Sequence, residues 1–355
     1  MIKIFMVGFS TDKGGVESYI ANLCSCLDNR EYEVIYCWPE MEIDGRKWIC
    51  PKNRHHYIKY HQFWRSFFRV NHFDVLYYNT CDIVSIDMLR FAKKAGISVR
   101  IIHSHSTGIQ QRMNRIHWCT EKWNRKILHK YATHLFACSQ LAGQWMFGDR
   151  CFEIIKNGID LSKYRYCENY RNKYRQELGL KDEFVIGCVG RLSKEKNLLL
   201  AVDVLEKIQE RRKDVALVLA GEGDMKESLQ MAVRDKGVEQ AVYFLGSRDN
   251  IHELMSAIDC LMMPSLFEGL PFVLVEAQAA GLSCVVSKNV SKEADLTGLV
   301  DFVGLDEALS VWEEKLLQAE NRVRKDTTEC ITQQGYSMVN TAEKVAAIIH
   351  TAKIN

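Results

Sequence analysis

The stretch "FVIGCVGRLSKEKN", residues 184–197, decides how this chain is read. Six uncharged, mostly apolar residues run into Gly190, and a basic, polar turn follows. A strand buried on both faces of a parallel sheet needs such an uninterrupted run, because crossover helices cover both sides. The same strand–turn–helix unit recurs in both directions. Downstream, strands are predicted at 215–220, 242–245, 260–263, 284–287 and 300–303. Helices near 197–211, 224–236, 250–257, 272–280 and 306–320 separate them. Upstream, strands are predicted at 2–8, 33–38, 73–78, 98–103, 134–138 and 152–156, with helices such as 16–28, 83–95 and 111–131 between them. This alternation predicts an α/β chain with doubly wound parallel sheets. The polar stretch "DLSKYRYCENYRNKYRQELGLKD", 160–182, interrupts it and is read as a boundary. The expected layout is one domain over 1–165, a second over 166–335, and a C-terminal helix over 336–355 packing back toward the first. Two such domains in tandem are expected to leave a ligand cleft at the carboxyl ends of their strands.

Composition narrows the function classes. The chain has 355 residues, enough for two cores, with 47% hydrophobic and 26% charged residues. The net charge of +2 gives no global argument for nucleic acid. The halves differ: 24 Lys and Arg stand against 15 Asp and Glu in 1–165, but 23 against 30 in 166–355. Different partners are therefore expected for each half. No run approaches the roughly 18 apolar residues that span a bilayer. The opening "MIKIFMVGF" reads as a strand rather than an export signal. Thirteen cysteines without paired metal-ligand spacing point to the reducing cytoplasm.

Four stretches carry chemistry. In "VGRLSKEKN", 189–197, Arg191 follows a core strand and Lys196 is expected to open the next helix. Two cations at a helix N-terminus suit a diphosphate, although solvated loop charge is the plainer alternative. In "STDKGGVESYIANL", 10–23, Gly14 and Gly15 open a helix and let backbone amides approach an anion. A simple turn explains them equally well, and no G-x-G-x-x-G follows the first strand, which disfavours a dehydrogenase. In "RIIHSHST", 100–107, His103 and His105 face the same way on an extended chain. A metal would need a third ligand that the sequence does not declare, leaving a structural pair or an active-site histidine.

The fourth stretch is "SLFEGLPFVLVEAQAAG", 265–281. Pro271 suits a first helical turn, so Glu268 lies in the preceding loop and Glu276 about one and a half turns inside an almost wholly apolar helix. The amides of Gly269, Leu270 and Phe272 then face outward at the positive helix end. Neither glutamate has a basic partner nearby in sequence, and a buried carboxylate is costly unless paired. Ligand hydroxyls, such as the vicinal diol of a ribose or a hexose, would satisfy both. Core carboxylates bonded to backbone amides are the alternative.

The eight-residue spacing of Glu268 and Glu276, together with "GRLSKEKN", "IIKNGID" and the N-terminal "KGG", resembles retaining glycosyltransferase family 4 of the GT-B fold. The resemblance covers nearly the whole chain in the family's order. "RIIHSHST", "YATHLFACSQLAGQWMFG" and "SKEADLTGLV" further resemble the EpsF-like enzymes of bacterial exopolysaccharide and capsule assembly. It implies two Rossmann-like domains facing a cleft, with the acceptor on the first and a nucleotide sugar on the second. Arg191 and Lys196 would neutralise the donor diphosphate, and Glu276 would bond the nucleotide ribose. Glu268 would sit near the transferred sugar, with the amides of Gly269, Leu270 and Phe272 holding sugar hydroxyls and phosphate. Gly15 matches an amide contact to the diphosphate. His105, with His103 in reserve, matches the histidine near the donor sugar. Many relatives have Pro before the position of Asn157. The implied activity is metal-independent transfer of a hexose or N-acetylhexosamine, from a UDP-linked donor, to a lipid-linked saccharide. An epimerase or phosphorylase of the same fold and a non-catalytic nucleotide-sugar-binding subunit are the competing readings.

The basic front half has its own alternatives. "YHQFWRSFFRVN", 60–71, and "QQRMNRIHWCTEKWNRKILHK", 110–130, mix Arg and Lys with aromatic residues. Each is either a helix packing on its own sheet or a surface that docks on the anionic inner face of the plasma membrane.

Overall fold

A computed structural model of the chain describes residues 1–8, 15–37, 48–49, 56–106, 108, 115–268 and 271–354. They form two units, Met1–Ile159 with Gly335–Asn355, and Asp160–Gln334. The first unit is built on seven strands: β1 (Ile2–Val7), β2 (Tyr32–Cys37), β3 (Trp48–Ile49), β4 (Val75–Thr80), β5 (Val99–Ser104), β6 (His134–Ala137) and β7 (Glu153–Ile154). They lie in the order β3-β2-β1-β4-β5-β6-β7, all parallel. The second unit holds β8 (Phe184–Val189), β9 (Val215–Ala220), β10 (Val242–Gly246), β11 (Cys260–Met263), β12 (Ser283–Ser287) and β13 (Val300–Val303). Their order is β10-β9-β8-β11-β12-β13, again all parallel. In each sheet the first strand has its sequence neighbour on one side and a later strand on the other. Ligands of open α/β sheets bind outside the carboxyl ends of the strands at such a reversal.

The cores follow the strand period. Along β9, Val215, Leu217 and Leu219 pack into one buried cluster with Trp312 and Leu316. The alternate residues Ala216, Val218 and Ala220 pack into another with Leu254 and Leu274. A strand with both faces in apolar contact has no place for a charge, which is why "VALVLA" reads as an unbroken run.

The polar stretch 160–182 is a correction. It forms helices Leu161–Tyr164 and Glu168–Leu178 within the second unit. Arg175 is buried and donates to the carbonyls of Lys181, Glu183 and Ala257, and to Asp259. Arg171 pairs with the other oxygen of Asp259 at 2.8 Å. Tyr164 bonds Glu276 and Arg165 pairs with Asp326, so residues 160–165 go with the second unit and the division falls after Ile159 rather than after Arg165. Gly335 likewise falls in the first unit rather than the second. There Ile159 N donates to Tyr336 O and Met338 N to Ile159 O, around the parallel bridge of Ile159 with Ser337 at the start of the helix Met338–Ile354.

Candidate active site

In the second unit, the loops after β8 and β11 are stitched together at the reversal of strand order. Beyond β8, Gly190 N donates to Ala220 O and Leu192 N to Glu222 O, both at 2.9 Å. The backbone at Gly221 lies so close that a Cβ there would be 1.9 Å from Gly190 O. Its φ of +151° is one that only glycine adopts readily. The exposed Arg191 is carried on this doubly held loop.

Lys196 does not open a helix as expected. It ends the short 3₁₀ turn Lys194–Lys196, and Asn197 at φ +52° breaks the chain before the helix Leu199–Gln209. The reason lies in the neighbouring loop. Asn197 Nδ2 donates to Pro264 O at 3.2 Å, and Leu266 N donates to Glu195 O at 2.8 Å. These two bonds tie the turn to the segment leading to Glu268, and Lys196 Nζ forms an ion pair with Glu268 Oε1. Arg191, Lys196, Pro264 and Ser265 line one small pocket there. A larger concavity lies elsewhere, at the amino-terminal end of β8 around Arg171, Arg175 and Phe184. We place the site at the small pocket, because it collects the cations at the carboxyl ends of the strands.

Glu276 is also partnered. Pro271 caps the helix Phe272–Ala279, so Phe272 is its first residue. Tyr164 Oη donates to Glu276 Oε1 at 2.6 Å across 112 residues of sequence. Burial raises the Glu276 carboxyl pKa, and the Tyr164 bond opposes that shift. The expectation of two carboxylates without protein partners is therefore corrected on both counts. Long-range partners satisfy what no local residue does. Gly269 and Leu270 lie outside the described residues.

In the first unit, His103 is fully buried, with Nδ1 3.1 Å from Tyr77 Oη and Nε2 3.1 Å from Ile155 O. Tyr77 in turn bonds Tyr19 at 3.0 Å. His103 is thus the structural member of the pair. His105 lies 4.0 Å from it, ring to ring, and is only part-buried. Asn79 Nδ2 donates to Val7 O, which turns Asn79 Oδ1 toward His105 Nε2 at 2.9 Å. That approach requires glycine at position 8, where a Cβ would meet Asn79 O at 2.4 Å. The other ring nitrogen, Nδ1, lies 3.1 Å from Asn157 Oδ1. Burial drives the His105 pKa down to about 3, so the ring is neutral at physiological pH. Turning the Asn157 amide over sets its NH₂ against the Nδ1 lone pair, as a neutral ring requires. Gly15 opens the helix Gly15–Cys26 and is exposed.

Sequence reasoning missed Tyr164, Asn79 and Asn157. Asn157 stood inside the quoted "IIKNGID", but only the fold shows what its side chain meets.

The geometry agrees with what the chain is similar to. Residues 13–163 match the family described as Glycosyltransferase Family 4, and residues 170–298 match Glycosyl transferases group 1. EpsF of Bacillus subtilis (strain 168), which carries the name of a glycosyltransferase, is 33% identical over 274 residues, covering 74% of this chain and 71% of EpsF. An Escherichia coli protein named UDP-Gal:alpha-D-GlcNAc-diphosphoundecaprenol alpha-1,3-galactosyltransferase is 35% identical over 138 residues, 38% of this chain and 36% of that one. Among solved structures, HepE of Anabaena, crystallised with UDP and glucose, shares the fold with a TM-score of 0.79 at 20% identity, over 99% of this chain and 100% of that one. The fold and site therefore define a glycosyltransferase of the GT-B class. The chain belongs to the glycosyltransferases of family 4, with a group 1 glycosyl transferase region in its second unit.

Proposed function

We propose that this glycosyltransferase moves a hexose or N-acetylhexosamine from a UDP-linked sugar to a lipid-linked saccharide, with retention of anomeric configuration. The observation that carries the reading is that Arg191 and Lys196 line one pocket where β8 and β11 end, with Lys196 paired to Glu268. Breaking the sugar–phosphate bond leaves negative charge on the departing diphosphate. Two positioned cations stabilise that charge in a site already organised for it, and no metal is needed in this scheme. Glu268, held by Lys196, takes hydroxyls of the transferred sugar, and Glu276 takes the ribose. The amides of Gly269, Leu270 and Phe272 and that of Gly15 add donors for phosphate and sugar. His105 enters as a neutral hydrogen-bonding group rather than as a proton shuttle. In the retaining route the acceptor hydroxyl attacks the anomeric carbon on the face the phosphate leaves, and its proton passes to the phosphate oxygen. The named substrates of the E. coli relative and the UDP bound to HepE support the choice of donor and acceptor.

A thermal-shift panel of UDP-, GDP- and ADP-sugars tests the reading. UDP-sugars are expected to raise the melting temperature of the wild type. Glu276→Ala is expected to weaken donor binding by about tenfold or more, the scale of one hydrogen bond to a charged group. Unchanged donor affinity in that variant would refute the assignment of Glu276.

Membrane docking belongs to the same proposal, and the two basic helices now differ. The helix Tyr57–Val70 buries Tyr60, Trp64 and Phe68, and Trp64 and Phe68 pack around Phe5 of β1. It takes the plainer alternative, packing on its own sheet. The helix Arg115–Ile127 is inverted. Its buried side chains are Glu121 and Asn124, the latter donating to Ile83 O and Val84 O. Ile116, Trp118 and Trp123 are 74%, 57% and 60% exposed, and Lys122 lies over the Trp118 ring. Exposed aromatics interleaved with Arg and Lys suit a bilayer interface. Among the described residues no helix is long and apolar enough to cross a membrane. Flotation with liposomes of anionic lipid at low salt is expected to carry the wild type upward, and Trp118→Ala/Trp123→Ala to leave it at the bottom. A wild type that stays at the bottom would sink the idea.

A further inference from the structure

The Glu276 carboxylate is oriented before any ligand arrives. Tyr164 ends the short helix Leu161–Tyr164, whose N-cap is set by Asp160. Asp160 Oδ1 accepts from Ser162 N at 3.0 Å and from Lys163 N at 3.2 Å. The Tyr164 ring is met edge-on by His252, with centroids 6.2 Å apart and planes at 76°. Cap and ring contact aim the hydroxyl at Glu276 Oε1. The last torsion of a glutamate is broad and roughly two-fold, so an unpinned carboxylate spreads over many orientations. A single donor on one oxygen removes that freedom in advance.

We propose that Tyr164 is a positioning residue that pins Oε1 of Glu276, presents Oε2 to a ribose hydroxyl, and so sets the preference of this site for ribonucleotides over deoxyribonucleotides. The inference rests on the reading that Glu276 receives the nucleotide ribose. It goes further by naming the group that selects the sugar of the nucleotide, and that group lies in a segment no site motif includes. The mechanism is pre-organisation: a fixed acceptor pays less ordering entropy when the hydroxyl binds. Burial disfavours the ionised acceptor, and the Tyr164 bond works against that. A site built to pair a substrate hydroxyl rejects the analogue that lacks it, because its own polar group is then left unmatched.

The test uses the full-length protein and isothermal titration calorimetry. The probe is whichever of UDP, GDP and ADP binds the wild type most tightly, with its 2′-deoxy and 3′-deoxy counterparts. The wild type is expected to prefer the ribonucleotide over at least one deoxy form by about tenfold. Tyr164→Phe removes one oxygen and keeps the ring against His252. It is expected to narrow that preference to about twofold while the melting temperature stays within a few degrees. Glu276→Gln is measured beside it. If Glu276→Gln loses the preference and Tyr164→Phe keeps it whole, the inference is overturned and the ribose reading stands. If Glu276→Gln keeps the wild-type preference, the ribose reading fails and takes the inference with it. If Tyr164→Phe weakens ribo and deoxy forms equally, Tyr164 is merely structural and the proposal is wrong. A wild type that binds none of the three nucleotides overturns both.

Discussion

Gly221→Ala is expected to destabilise the second unit by about 3 kcal/mol, the upper end of the cost of a strained backbone residue. Two costs coincide at this position. The φ of +151° lies outside the space open to a residue with a Cβ. That Cβ would also stand 1.9 Å from Gly190 O and 2.8 Å from Gly190 C, both backbone atoms that no rotamer change can move. The loop carrying Arg191 must shift, so donor affinity is expected to fall with stability. For a domain of this size the melting temperature should drop by roughly 6–12 °C. Gly237→Ala is the control. Its φ of +65° is also positive, but a Cβ there meets nothing within 4 Å. Differential scanning fluorimetry of both variants decides the matter. A Gly221→Ala protein that melts with the control would show that the close approach is not needed.

Lys196→Ala is expected to cost about 2 kcal/mol of stability, between the small value of an exposed ion pair and the larger one of a buried pair broken on one side. The side chains of Lys196 and Glu268 are 20% and 19% exposed, so the carboxylate left behind is poorly solvated. Removing both partners should then hurt less than the single changes together. Urea denaturation of Lys196→Ala, Glu268→Ala and the double variant closes this cycle. Glu268→Gln placed on Lys196→Ala is expected to restore stability in part, because a neutral amide tolerates the site. It should not restore donor affinity if, as proposed, the charge of Lys196 serves the donor diphosphate. Strictly additive single effects would show that the pair is not coupled.

The elements themselves were legible in the sequence because they are local. The unbroken apolar runs at 184–189 and 215–220 fall on β8 and β9, since a strand covered on both faces excludes charge wherever it lies. Pro271 marks the start of the helix that carries Glu276 for an equally local reason, the fixed φ of its ring. Where sequence reasoning went astray, a distant partner overruled a local pattern. The helix Glu168–Leu178 reads as a polar boundary until Arg171 and Arg175 are seen to reach Asp259. For the helix Arg115–Ile127 the sequence left packing and surface docking both open, and the structure buries Glu121 and Asn124 while exposing Trp118 and Trp123.

By itself, then, the sequence determined the alternation of strand and helix, the parallel sheets, and the residue types available for a diphosphate and for hydroxyls. Only the tertiary structure decided their partners. Lys196 meets Glu268 across 72 residues because β8 and β11 are neighbours in a sheet whose order reverses between them. Tyr164 meets Glu276 across 112 residues because the segment read as a boundary folds within the second unit. Periodicity records which face of an element is buried. It carries nothing about which other element supplies the hydrogen bond, because that depends on strand order and loop packing, settled by the whole chain at once.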